Sequence, residues 1–234
     1  MKNSIRNYGQ VLLATTTVAL AALICVNALA KDNDTAAPSK AMAKVKLPKY
    51  KNEDFYKDGK FLAEKGKKAY LDMMAKHGYP VPESLRTNVW ASDFGLGDFV
   101  NAGMGGIVWI NDEKQGYFGH EIYLLPGQMI VEHGHEATAK GKAKMETWHV
   151  RNGSIYTFGE VGGPIPAGLK LAKSQEKYIT VNKCYEMQTG DIRTLNRVGA
   201  KHFMMGGPQG AIVTEYGTFH DGEGLRFTNP GVKF

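Results

Sequence analysis

At 234 residues with a formal charge of +6 and two cysteines, the chain is long enough for one ample hydrophobic core and too poor in cysteine for a disulfide framework. Part of the positive excess sits in the lysine-rich stretch from Lys40 to Lys60. No basic helix or aromatic-interleaved basic stripe accompanies it, which argues against nucleic acid as a partner.

The first element in chain order reads as a targeting signal. Lys2 and Arg6 form a positive n-region, Val11 to Val26 is nearly uncharged and apolar, and Ala28-Leu29-Ala30 is a small-x-small cleavage site. Residues 1–30 are therefore expected to be removed on export to a bacterial periplasm, leaving no stable membrane insertion. Retention as an N-terminal anchor is the alternative, because Val11 to Ala30 is nearly long enough to span a bilayer. After cleavage only Cys184 would remain, and the fold must stand on its core. Residues 31–50, rich in Ala, Lys, Asp and Ser, read as a flexible leader. A single domain is expected over residues 51–234.

That domain opens on a helical segment from Asn52, with Glu53 and Asp54 suited to the positive end of a helix dipole. Leu62, Ala69, Tyr70, Met73 and Met74 recur at helical spacing and give one apolar face, ended by Gly78, Pro80 and Pro82. The pattern then changes to short β-type runs. Strands are expected at Gly106 to Ile110, His120 to Leu125, Gln128 to His135, Met145 to Arg151, Ile155 to Phe158, Lys177 to Gln188, Asp191 to Asn196 and Gly210 to Thr218. Pro126-Gly127, Asn152-Gly153 and Thr189-Gly190-Asp191 are turn signals, and Asn152-Gly153 in particular demands a tight hairpin. The fold class is mainly β, a sandwich or barrel behind one helical segment.

His133-Gly134-His135 carries the chemistry. Side chains of an extended strand alternate with period two, so both imidazoles lie on one face. Met129 and Val131 share it, which aims the histidines into a barrel. By the same parity Glu146, Lys144 and Trp148 face inward together and His149 faces out. His202, delivered by a glycine-containing turn in Val198-Gly199-Ala200-Lys201-His202-Phe203, is the favoured fourth ligand, with His220 its competitor. Three imidazoles and a carboxylate suit Mn, Fe, Co, Ni or Zn, and donor type alone does not choose among them. Structural zinc sites usually close on cysteine, so this donor set points to an open, reactive centre. His77 and His120 read as structural.

A His-x-His, a later Glu and a Gly-x-x-His on consecutive strands resemble the cupin double-stranded β-helix, a jelly-roll barrel. The order Asp93-Phe94-Gly95-Leu96-Gly97-Asp98-Phe99, Leu125-Pro126-Gly127-Gln128, His133-x-His135, Lys144-x-Glu146 and Glu215-Tyr216-Gly217-Thr218 resembles that of D-lyxose isomerase-like cupins, from about Phe55 to the end. The resemblance implies an aldose–ketose isomerase that acts on a small-molecule sugar such as D-lyxose and binds a divalent metal, often manganese. It places His133, His135, Glu146 and His202 on metal-ligand positions and Lys144 on an active-site lysine, and it implies a homodimer. Two departures are a longer connection from His135 to Glu146 and His220 where relatives carry Asn.

In such a reaction Glu215, an acid within an apolar run, is the candidate base, since desolvation would raise its pKa. Lys144 would stabilise or protonate the sugar oxygen. His220, Asp221 and Arg226 are candidates for binding sugar hydroxyls, and Trp148 for packing on the sugar ring or simply in the core. Two other readings share the ligands: a cupin oxygenase holding iron, and an exported cupin that binds sugar without turning it over. Neither needs an inward-facing lysine–carboxylate pair.

Overall fold

The computed structural model describes residues 46–234. The expected signal peptide and most of the leader lie outside the described residues. Among the described residues no helix is long and apolar enough to cross a membrane.

The helical segment expected from Asn52 does begin there, but it is short and not yet the α-helix. A single 3-10 turn, Asn52–Phe55, leads into a small hairpin of β1 (Tyr56–Lys57) and β2 (Lys60–Phe61). Asp58 and Gly59, at φ 51° and 73°, reverse the chain there. Only then does α1 (Ala63–Lys76) form. It ends as expected at Gly78, whose φ of 63° lets the Tyr79 amide donate back to the Met74 carbonyl at 2.9 Å. A short helix α2 (Glu83–Asn88) follows Pro82.

The main sheet runs in the order β3 (Trp90–Ser92), β4 (Met104–Asp112), β5 (Tyr117–Leu124), β11 (Phe203–Thr218), β7 (Glu146–Gly159), β9 (Lys183–Gln188) and β8 (Gly163–Pro164), with β10 (Ile192–Thr194) also on β7. All its pairings are antiparallel. Ile122, Leu124, Trp148, Val150 and Val213 face the barrel interior. Ile107, Tyr123 and Ile212 face the other way and meet Tyr70, Met73 and Met74 of α1. Burial on both faces explains why these central strands read as continuous apolar runs.

A second, smaller sheet pairs β6 (His133–His135) with β12 (Leu225–Phe227). Isolated bridges tie the preceding segment to the start of β11, Met129 to Met205 and His133 to His202. Together the two sheets make the expected double-stranded β-helix. The strand expected over Gln128 to His135 shrinks to His133–His135, because its first half is held by single bridges and by side chains. Gln128, wholly buried, accepts from Tyr70 Oη (2.7 Å) and the Leu125 amide (3.0 Å) and donates to the Phe99 carbonyl. It thereby joins α1, the Leu125-Pro126-Gly127-Gln128 turn and the Asp93–Phe99 loop. Asp93 ties that loop in turn, accepting from the amides of Gly95 and Gly97 and from Tyr56 Oη.

Asn152-Gly153 does not make a hairpin. Strand β7 runs through it, and both halves pair with β11. The two residues sit between two register shifts where β11 passes from β5 toward the small sheet, so the pair serves as a bulge at a barrel corner. Thr189-Gly190-Asp191 is likewise no reversal, since β9 and β10 both lie along β7. Gly153 (φ 74°) faces Gly210 (φ 69°), and a Cβ on Gly153 would overlap the Gly210 carbonyl. Gly153→Ala is therefore expected to cost about 3 kcal/mol from positive φ and overpacking together. In thermal melts that corresponds to a fall of about 6–12 °C in Tm; an unchanged Tm would contradict the assignment of this corner.

Candidate active site

Four short stretches, at residues 133–135, 144–146, 202 and 215–218, bring the polar side chains together. The backbones of His133 and His202 exchange hydrogen bonds of 3.0 and 2.8 Å, which sets two imidazoles from distant parts of the chain side by side. The Met145 and Thr218 backbones are joined at 3.0 Å, and Thr218 Oγ1 also accepts from the Met145 amide at 3.0 Å. That clamp fixes Lys144 and Glu146 against the end of β11, which carries Glu215. Gly217 leaves room for the lysine stem, since a Cβ there would lie 3.0 Å from Lys144 Cε.

His133, His135, Glu146 and His202 each offer a donor atom, all within 4.8 Å of one another. Glu146 Oε1 lies 2.8 Å from His135 Nε2 and 2.9 Å from Lys144 Nζ, and Oε2 lies 3.0 Å from His202 Nε2. His135 Nε2, although so close, has no aligned hydrogen bond. His202 Nε2 is hydrogen-bonded to Glu146 Oε2 and His135 Nε2 is left unpaired, and four donor atoms this close fit a common ion, given metal–nitrogen distances of about 2.0–2.1 Å. The far nitrogens support this orientation: Nδ1 of His133 and of His202 each donate 2.9 Å to a carbonyl two residues upstream, Val131 and Ala200. A divalent cation therefore fits these residues.

The electrostatics separate the two carboxyl groups. Burial works to raise the Glu146 pKa, but Lys144 and His202 outweigh it and hold the group well below its ordinary range. Burial and the charge of Glu146 push Glu215 up to about 6, with Lys144 opposing. Lys144 bridges both acids, contacting Glu215 Oε1 as well as Glu146, and the two carboxylates overcome its desolvation to raise its pKa. Burial, then its histidine neighbours, keeps His133 well below the usual imidazole range and so neutral.

These groups open on a cavity of about 280 Å³. Glu215, Lys144, Glu146, His133, His135 and His220 all line it. His220 is held there by Asn111, which accepts from its amide at 3.0 Å and donates to its carbonyl at 2.8 Å.

Three expected sugar-binding residues lie elsewhere. Arg226 is about half exposed and pairs with Glu136 at 2.9 Å, away from the cavity wall. Asp221 accepts from Thr138 Oγ1 and caps the turn at Glu223. Trp148 does face inward, but its indole donates 3.2 Å to Glu146 Oε2 behind the donor cluster and does not line the cavity. His120, expected to be structural, lines the cavity beside Trp90 and Phe118. Its position opposite Glu215 was the available signal, and only the strand pairing reveals it. Replacing His133 by Ala is expected to lower bound metal severalfold in elemental analysis of the purified protein; unchanged metal content would refute the donor set.

No family model matches the chain. It is 30% identical over 162 residues to a D-lyxose/D-mannose isomerase of Thermosediminibacter oceani, an alignment covering 69% of this chain and 88% of that one. It is 32% identical over 164 residues to a D-lyxose ketol-isomerase of Cohnella laeviribosi, covering 69% and 87%. Among solved structures, an L-ribose isomerase of Acinetobacter sp. DL28 matches with a TM-score of 0.60 at 15% identity, over 72% of this chain and 92% of that chain. That last likeness establishes a shared fold. On its similarity to the two curated isomerases, across most of their length, the chain belongs to the D-lyxose ketol-isomerase family.

Proposed function

We propose that this protein is an aldose–ketose isomerase that converts a pentose such as D-lyxose to the ketose D-xylulose. The observation that carries this reading is the buried Lys144–Glu215 pair beside four convergent donor atoms, in a chain whose relatives are named for that activity.

The reaction moves one proton between adjacent carbons and redistributes the hydroxyl protons. Glu215, its pKa raised to about 6, takes the proton from C2 of the open-chain aldose, exchanges it with solvent at the enediol stage and delivers a proton to C1. Lys144 sits within contact of that carboxylate, so it can give a proton to O1 as the carbonyl becomes a hydroxyl and recover one from O2. Glu146, kept ionised, holds the ammonium in place. When bound, a divalent cation supplies Lewis-acid stabilisation of the charge developing on the sugar oxygens, worth several kcal/mol. Positioned proton transfer adds about 10²–10⁴-fold.

Manganese is the proposed ion, on the family resemblance; imidazole and carboxylate donors would also take zinc, iron, cobalt or nickel. Export to a periplasm is proposed from Lys2, Arg6, the apolar run Val11 to Val26 and Ala28-Leu29-Ala30. The oxygenase and the non-catalytic sugar-binding readings are less favoured, because neither uses a lysine locked between two buried acids.

The metal-loaded protein is expected to form ketose from at least one member of a pentose and hexose panel, with no oxygen consumption. Lys144→Ala should lower turnover by about 10²-fold or more while bound metal stays at the wild-type level. Retained turnover in that variant would remove the lysine from the mechanism, and oxygen uptake with no ketose would favour the oxygenase.

A further inference from the structure

We propose that His120 is a substrate-binding residue, hydrogen-bonded to a hydroxyl of the aldose beyond the two reacting carbons; this rests on the isomerase reading above. Three independent features support it.

The first is an unmet polar atom. Neither ring nitrogen of His120 has a hydrogen-bond partner among the described residues: Nε2 is buried against Gly106, and the rest of the ring lines the cavity. Leaving such an atom unpaired costs free energy, and a phenylalanine would fill the same space without that cost. A role in packing alone therefore does not account for a histidine here.

The second is position. His120 on β5 is directly opposite Glu215 on β11, so both side chains rise from the same face with Cβ atoms about 4.5–5.5 Å apart. A sugar with its C2 at Glu215 brings its next carbons to His120. The remaining wall offers few alternatives: Phe94, Met104, Ile130, Leu225, Phe227 and Phe234 are apolar. Apart from the Trp90 indole, His120 and His220 are the polar side chains in the wall that neither belong to the donor cluster nor to the Lys144–Glu215 pair.

The third is the support of the ring. Trp90 stacks on it, with centroids 5.7 Å apart and planes 15° from parallel, and Phe118 flanks it at 5.6 Å. Beneath it lies Gly106, where any Cβ would overlap Nε2. Burial, with Lys144 and His220 nearby, pushes its pKa down to about 3, so the imidazole is neutral and can accept as well as donate a hydrogen bond.

The test is kinetic, on metal-loaded protein with the best aldose of the panel and its 3-, 4- and 5-deoxy analogues. His120→Phe is expected to fold with equal or higher Tm and wild-type metal content, while kcat/KM falls by about tenfold or more, mainly through KM. Wild type should disfavour one deoxy analogue by a similar factor, and His120→Phe should treat that analogue and the parent sugar alike. His120→Gln, which keeps a hydrogen-bonding group, should recover part of the loss. The proposal is overturned if His120→Phe matches wild type within twofold, or if it loses equally on every analogue. It is overturned without any variant if wild type turns over all three deoxy analogues as well as the parent. Failure of wild type to isomerise any aldose would instead remove the isomerase reading itself.

Discussion

The site depends on an ammonium group held between two buried carboxylates. Lys144 contacts Glu146 on one side and Glu215 on the other, and all three side chains are almost fully buried. Two acids buried this close together repel each other and resist ionising. The lysine charge resolves the conflict unequally. Glu146, with His202 also beside it, stays charged and is available to a cation, whereas Glu215, its pKa raised to about 6, is suited to moving a proton. One cation thus separates a ligand from a base.

Much of the fold serves to hold that triad. Glu146 opens β7 and Glu215 lies near the end of β11, so the long antiparallel pairing of these strands sets where the two acids stand. The bulged corner at Gly153 and Gly210 lets β11 begin near the small sheet, beside His133, and finish against β5. His202 precedes β11 and Glu215 comes late in it, so a single strand links the donor cluster to the base. Outside the barrel, Gln128 and Asp93 fasten the connecting loops to α1 and to the first hairpin. The Asp93–Phe99 and Leu125–Gln128 motifs are thereby explained as scaffold.

The donor cluster was legible in the sequence because it obeys local rules. Period-two alternation puts His133 with His135, and Lys144 with Glu146, and the glycine before His202 marks a turn into an apolar run. What was not legible depends on pairing between distant strands. Asn152-Gly153 has the composition of a hairpin, but the chain reverses only where its flanking arms pair with each other, and here both pair with β11. Arg226 lies in a three-residue strand that the sequence did not mark, and it faces out because its neighbours Leu225 and Phe227 line the cavity. Trp148 was rightly placed inward, but the neighbouring donors occupy the space where a sugar would lie. His120 sits in an apolar strand with no motif of its own, and only its register against Glu215 distinguishes it.

Chemistry at Glu215 is tested most directly by running the isomerisation in deuterium oxide and locating the label by NMR. Proton transfer through an exchangeable carboxyl group should place solvent deuterium on C1 of the ketose, and Glu215→Gln should abolish both conversion and labelling. Full conversion with C1 free of solvent deuterium, or undiminished labelling in Glu215→Gln, would contradict the account.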